Sequence, residues 1–188
     1  MQGMQRRAPL PQLPSSFAQD MRKMLADPAF ADITFVVEGE RVPGHRALLS
    51  ARSEYFSAML SSAFRESEPG SVVEVPDTTA VAFKALLRFL YTDALDFSDE
   101  EVVHVMQLAN QYNMQRVYNH CYRYCERHLN VDSSLQWLLQ AHQYRLEDLR
   151  STALAYVSRN IKRIRARYSI EPLREHPELM LELLNRVH

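Results

Sequence analysis

The sequence points to an α+β fold, a small mixed sheet of about three strands covered by helices and followed by an all-helical region. Two observations carry this reading. The β-branched runs bounded by turn residues all lie in the first half of the chain, whereas from Ser98 onward apolar residues recur at helical spacing almost without interruption. Strands first and helices afterwards is the segregation of an α+β class and not of a doubly wound sheet. At 188 residues the chain has room for one well-buried core and a helical annex. With 46% hydrophobic and 24% charged residues it is too apolar for disorder, and nearly all of it should fold.

Residues 1–15 carry three prolines and no apolar period, so they read as a flexible lead-in. Phe17, Met21, Met24 and Leu25 share one face of a predicted helix that Ser15 or Ser16 caps and Asp27-Pro28 ends. Ile33-Thr34-Phe35-Val36-Val37, the turn Glu38-Gly39-Glu40 and the short run Arg41-Val42-Pro43 read as a hairpin. Two short helices follow over 45–50 and 53–62, the second capped by Ser53. Glu68-Pro69-Gly70 breaks the chain before a third strand, Val72-Val73-Glu74-Val75. Pro76-Asp77-Thr78-Thr79 then leads into a helix over 80–91, and further helices are expected over 99–111, 115–129, 131–144, 147–167 and 177–187. No internal repeat is apparent.

A formal net charge of −1 gives no drive toward a phosphate backbone, so no nucleic-acid partner is expected. No apolar run approaches the roughly 20 residues that span a bilayer, and residues 1–16 lack the apolar core of a signal peptide. No membrane partner is expected, and cytoplasm or nucleus is the expected location. Cys121 and Cys125 lie one helical turn apart, where a disulfide would close almost no loop. With His120 and His128 they suggest a metal face, but structural zinc needs four converging ligands, usually with a Cys-x-x-Cys knuckle. Interior cysteines beside solvated histidines are the preferred reading, with no metal and no cofactor. Neither a phosphate loop, a Gly-x-Ser-x-Gly elbow nor a His-Glu-x-x-His helix occurs, so no enzyme is expected. The basic run over 159–167, with Lys162, Arg163 and Arg165, reads as a solvated helix face, with nuclear import or an acidic partner as alternatives.

The stretch Asp32-Ile33-Thr34-Phe35-Val36-Val37, followed by Val42-Pro43-Gly44-His45-Arg46-Ala47-Leu48-Leu49-Ser50-Ala51-Arg52-Ser53-Glu54-Tyr55-Phe56, resembles the opening of a BTB/POZ domain. Val81-Ala82-Phe83-Lys84-Ala85-Leu86-Leu87-Arg88-Phe89-Leu90-Tyr91-Thr92-Asp93 and Leu108-Ala109-Asn110-Gln111-Tyr112-Asn113-Met114 follow in the family's order. The remainder, with Leu135-Gln136-Trp137-Leu138-Leu139 and His176-Pro177-Glu178-Leu179-Met180, is similar to the short BACK extension of speckle-type POZ proteins. The resemblance implies a lead-in over 1–15, a BTB/POZ domain over 16–129 and a partial BACK-like extension over 130–188.

What the resemblance implies about function is a non-catalytic adaptor. It implies a homodimer whose interface is built by Phe17, Met21, Met24 and Leu48, with Asp32 and Arg46 as a charged pair near the two-fold axis. Intramolecular core is the alternative for the apolar four. It implies a cullin-3 partner, whose N-terminal domain would meet a hydrophobic-any-Glu motif matched by Phe64-Arg65-Glu66, with Tyr91 lining the same surface. For Glu66 the alternative is a solvated carboxylate, and for Tyr91 an ordinary half-buried tyrosine. The extension would buttress cullin binding and offer a second self-association surface. Gly44 and Asp93 depart from the family's usual alanine and turn glycine, and the first strand that some relatives exchange between subunits has no counterpart. Speckle-type relatives carry a MATH domain for substrate; here an unidentified substrate or substrate-recruiting protein is expected to be met through another module or partner. The rival expectation is an architectural BTB module, serving transcriptional regulation or heterodimerisation without a cullin.

Overall fold

The computed structural model describes residues 16–61 and 70–186. Phe64, Arg65, Glu66, the breaker at Glu68-Pro69 and the lead-in over 1–15 lie outside the described residues.

The chain runs α1 (Phe17–Ala26), β1 (Ile33–Val37), β2 (Glu40–Gly44), α2 (Arg46–Arg52), α3 (Glu54–Ser61), β3 (Ser71–Glu74) and α4 (Ala80–Thr92). Then come α5 (Val102–Gln111), α6 (Gln115–His128), α7 (Ser134–Gln143), α8 (Glu147–Arg165), a 3-10 turn (Glu171–Glu175) and α9 (Pro177–Arg186). The sheet has the order β2-β1-β3, with β1 antiparallel to β2 and parallel to β3. Glu38 and Gly39, at φ 50° and 79°, form the two-residue hairpin loop, whose twist matches that of the strands. The expected mixed three-strand sheet is thus present, and the described residues form nine α-helices around and after it.

β1 is the central strand, and Ile33, Phe35 and Val37 point into the core. Phe35 packs against Phe56 of α3 and Phe83 of α4, with ring centroids 5.7 and 5.0 Å away. α4 is buried along most of its length because Ala82, Phe83, Leu86, Leu87, Leu90 and Tyr91 leave almost no polar face. Its start is fixed twice: Thr79 Oγ1 accepts the Ala82 N–H at 3.1 Å, and the Glu38 carboxylate of the hairpin turn accepts the Ala80 N–H at 2.9 Å. Its end is Asp93 at φ 56°, a left-handed position that glycine fills most easily and aspartate tolerates. Arg52 closes this end, binding the Leu90 carbonyl at 2.9 Å and the Asp93 carboxylate at 2.5 Å. Gly44 is also explained: a methyl there would sit 3.2 Å from Leu49 and Phe35 and 3.3 Å from Ile33, so these side chains already fill the space.

Several local expectations are corrected. Ser16 stands at the start of α1, but its hydroxyl donates to the Asp20 side chain at 2.7 Å and caps no backbone group. The helices expected from 99 and 131 begin at Val102 and Ser134, because Asp99, Glu100 and Glu101, like Val131, Asp132 and Ser133, form turns ahead of the regular spiral. The expectation of no repeat also fails. Tyr112-Asn113-Met114 joins α5 to α6 as Tyr144-Arg145-Leu146 joins α7 to α8, with Asn113 and Arg145 both left-handed at φ 53° and 55°. In each, a six-residue bond closes the turn, from the Met114 N–H to the Ala109 carbonyl (2.7 Å) and from the Leu146 N–H to the Ala141 carbonyl (2.8 Å). The same helical hairpin is built twice.

The second hairpin is welded to the first core. Trp137 is buried and donates its indole N–H to the Asp99 carbonyl at 3.1 Å, while Ala141, Leu146 and Leu149 join the cluster around the sheet. The opposite faces of α7 and α8 build a second cluster, with Leu138, Leu154, Val157, Ile164 and, from the chain's end, Leu173, Leu179 and Leu183. Cys121 and Cys125 are free and buried, and His120 and His128 are exposed, as expected for interior cysteines beside solvated histidines.

Burial pushes the Cys121 and Cys125 thiols up from 9.0 to about 12 and the Tyr91 hydroxyl up from 10.0 to about 12. The folded chain therefore holds these protons more tightly than the unfolded chain does. The stability they contribute is fully present below about pH 9 and is lost as pH rises toward 12. The urea midpoint, followed by circular dichroism, is expected to fall steadily across that window, and a constant midpoint would contradict it.

Candidate interaction surfaces

Tyr91 was expected on an outer surface, and the structure corrects this: it is 2% exposed and turned inward from α4. Its hydroxyl oxygen accepts the His45 backbone N–H at 3.0 Å. Its hydrogen points to His45 Nδ1 at 2.8 Å, which leaves the ring proton on Nε2, 3.4 Å from the Ala29 carbonyl. α4, the β2–α2 junction and the loop before β1 are joined at this one histidine. The alternative of an ordinary internal tyrosine therefore describes Tyr91 better, although it is more deeply buried than expected.

Asp32 and Arg46 are brought together half-buried, but through the backbone: the Asp32 carboxylate accepts the Arg46 N–H at 2.7 Å. That bond occupies an otherwise unpaired donor at the start of α2. The Arg46 guanidinium reaches the Leu60 carbonyl at 2.8 Å and Ser71 Oγ at 3.4 Å, tying α2 to the end of α3 and to β3.

α1 lies against α4 and contains no buried residue. Met21, Met24 and Leu25 are half-buried against the core, as is Leu48 of α2, while Phe17 is 63% exposed. An apolar residue the sequence reading missed is Phe30, 95% exposed in the loop before β1 and at φ 66°. Left-handed backbone is uncommon for a bulky residue. Here the turn enforces it: the Ala31 N–H bonds the Pro28 carbonyl at 3.0 Å, and the Asp27 carboxylate accepts the Ala29 N–H at 2.9 Å. No periodic signal marks such a position.

The only grouping of three metal-capable side chains among the described residues is His142, His176 and Glu178. Arg150 donates to His142 Nδ1 at 3.2 Å, so Nε2 carries the proton and donates to Glu178 at 2.7 Å. With the Arg150–Glu182 ion pair, this is a polar clasp holding α9 to α7 and α8, and a cation would have to displace it. Along the basic run, Lys162, Arg163 and Arg165 are exposed while Ile164 is buried, as expected of a solvated helix face.

The described fold is a small mixed sheet with helices packed on it and an amphipathic helix, α1, on its outside. A family model for the BTB/POZ domain matches residues 21–129, and the chain belongs to that family. It is 36% identical over 148 residues to BTB/POZ domain-containing protein 9 of Drosophila melanogaster, a match covering 77% of this chain and 20% of the relative. To the Homo sapiens protein of the same name it is 32% identical over 144 residues, covering 75% and 24%. To BTB/POZ and MATH domain-containing protein 6 of Arabidopsis thaliana it is 27% identical over 192 residues, covering 92% and 46%. The chain thus spans less than half the length of each of these relatives.

Tyr91→Phe removes the hydroxyl and strands the buried His45 N–H, a loss of about 1–3 kcal/mol. Urea denaturation should show a lower midpoint with an unchanged slope, and a wild-type midpoint would contradict the role given to this bond.

Proposed function

We propose that this BTB/POZ chain is a non-catalytic homodimeric adaptor that recruits a cullin-3 ubiquitin ligase, working in cytoplasm or nucleus. The observation that carries it is α1, a helix with one side on α4 and no fully buried residue, whose Phe17 stays 63% exposed. Set against its two-fold mate, such a face becomes the centre of an isologous interface, with Met21, Met24 and Leu48 covered further and the Asp32–Arg46 contact alongside. Dimerisation doubles the ligase sites on one particle and so raises avidity.

The cullin-binding segment of this reading is Phe64-x-Glu66. Its support is the sequence motif and its place after α3, since Phe64 and Glu66 lie outside the described residues. An aromatic anchor among polar neighbours is the kind of side chain that concentrates interface energy. Residues 130–188 serve in this reading as a BACK-like buttress, and Leu181 and Leu184, both exposed on α9, offer the second self-association surface. Substrate would come through a further module or a partner, as the name of the Arabidopsis relative, with its MATH domain, suggests.

Titration against the N-terminal domain of cullin-3, with light scattering for stoichiometry, is expected to give a 2:2 complex. Phe64→Ala should weaken it at least tenfold, about 1.4 kcal/mol. A folded dimer that fails to bind would contradict the cullin reading and leave an architectural BTB module.

A further inference from the structure

A groove of about 760 Å³ runs between the C-terminal half of α1, the outer edge of β2 and α4. Small-molecule sites commonly have volumes of about 300–1,000 Å³, so the groove has room for side chains to enter it. Leu25, Val42 and Leu87 are among the residues that make its floor apolar. Its rim carries four cations, Arg22, Arg41, Lys84 and Arg88, against two carboxylates, Glu40 and Asp96. The carboxylates are already engaged, Glu40 with Lys84 at 2.5 Å and Asp96 with Arg88 at 3.3 Å. Arg22 and Arg41 enter no ion pair among the described residues, so the rim keeps two positive charges over an apolar floor.

The same groove exposes a strand edge. Val37 and Glu40 close the hairpin loop, so bonded and non-bonded pairs alternate from there along the ladder, and Val36↔Arg41 and Thr34↔Pro43 are non-bonded pairs. The opposite side of β1 agrees: Val36 and Asp32 give their carbonyls to the β3 side, accepting from Val75 at 2.9 Å and Gly70 at 2.7 Å. The Arg41 N–H and C=O and the Pro43 C=O therefore point away from β1. No backbone group among the described residues bonds to them. Pro43 has no N–H to offer, which limits the free edge to these three groups.

We propose that this groove docks a short, extended, acidic segment of another protein, which adds as an antiparallel strand beside β2. One residue of the segment exchanges both backbone bonds with Arg41, alternate apolar side chains rest on Leu25, Val42 and Leu87, and carboxylates meet Arg22 and Arg41. Backbone bonds supply affinity and the alternating side chains supply selectivity, as in other strand additions. Residues 1–15 of this chain, with Arg6 and Arg7 and no carboxylate, carry the wrong charge to match this rim.

The probe is a fluorescein-labelled nonapeptide of alternating valine and glutamate, capped at both ends and read by anisotropy. It should bind, whereas its valine–lysine counterpart and an oligothymidylate of equal charge should not. Amide shifts on titration should centre on Arg41, Leu25 and Ala94. Arg41→Glu, alone and with Arg22→Glu, should weaken binding at least tenfold with thermal melting unchanged, since both side chains are exposed. N-methylation of the peptide at alternate residues on its bonding edge should abolish binding. Failure of the acidic peptide to bind, equal binding of the lysine peptide or the oligothymidylate, or indifference to charge reversal or N-methylation would each overturn the proposal.

Discussion

The structure turns on the meeting of Tyr91 and His45. A single phenolic oxygen takes the backbone N–H at the β2–α2 junction and directs its hydrogen to the imidazole of the same residue, and the far side of that ring reaches the loop before β1. A hydrogen bond to a buried donor adds only modest net stability, but leaving that donor unpaired costs its full desolvation. The junction is therefore expensive to open. Asp32 reinforces it from the side, accepting the Arg46 N–H while its own N–H donates to the Gly44 carbonyl at 3.1 Å. These bonds tie together the loop carrying Phe30, the end of β2, the start of α2 and the last turn of α4.

What the frame presents follows from this rigidity. Apart from the exposed stripe of Lys84 and Arg88, α4 is apolar, so it must be covered from within the chain, and α1 contributes Met21, Met24 and Leu25. Covering α4 buries no residue of α1 fully, and Phe17 is 63% exposed. Between α1 and α4, β2 ends the sheet, and Pro43 together with Arg41 keeps that edge short and charged, a common way of discouraging unspecific strand pairing. The helical hairpins after α4 repeat one turn geometry and share one core. Trp137 and its bond to the Asp99 carbonyl fasten α7 to the core around the sheet.

Much of the architecture was legible because its signals are local. The run from Ile33 to Val37, the Glu38-Gly39 turn and the helical periods after Ser98 each specify an element on their own, and the family motifs fixed their order. The helix starts were less legible, since acidic turns before Val102 and polar ones before Ser134 look like first helical turns until their hydrogen bonds are seen. The repeated hairpin has Asn113 and Arg145, not glycine, at its left-handed position, and its sequence signal is confined to the short runs Ala109-Asn110-Gln111-Tyr112 and Ala141-His142-Gln143-Tyr144. At the candidate site the sequence could not say which way Tyr91 pointed, since apolar residues cover most of the circumference of α4. Asp32 and Arg46 do lie together, but the Asp32 carboxylate meets the Arg46 backbone N–H, a contact that depends on how α2 begins. Phe30 is set by a short turn that the local bonds of Ala29 and Ala31 hold, and no periodicity reveals it.

The central claim, that the outer face of α1 belongs to a two-fold interface, is tested most directly by sedimentation velocity over a dilution series of the intact chain. A species of twice 21.9 kDa is expected to persist to low micromolar concentration. A single 21.9 kDa species at every concentration would contradict it.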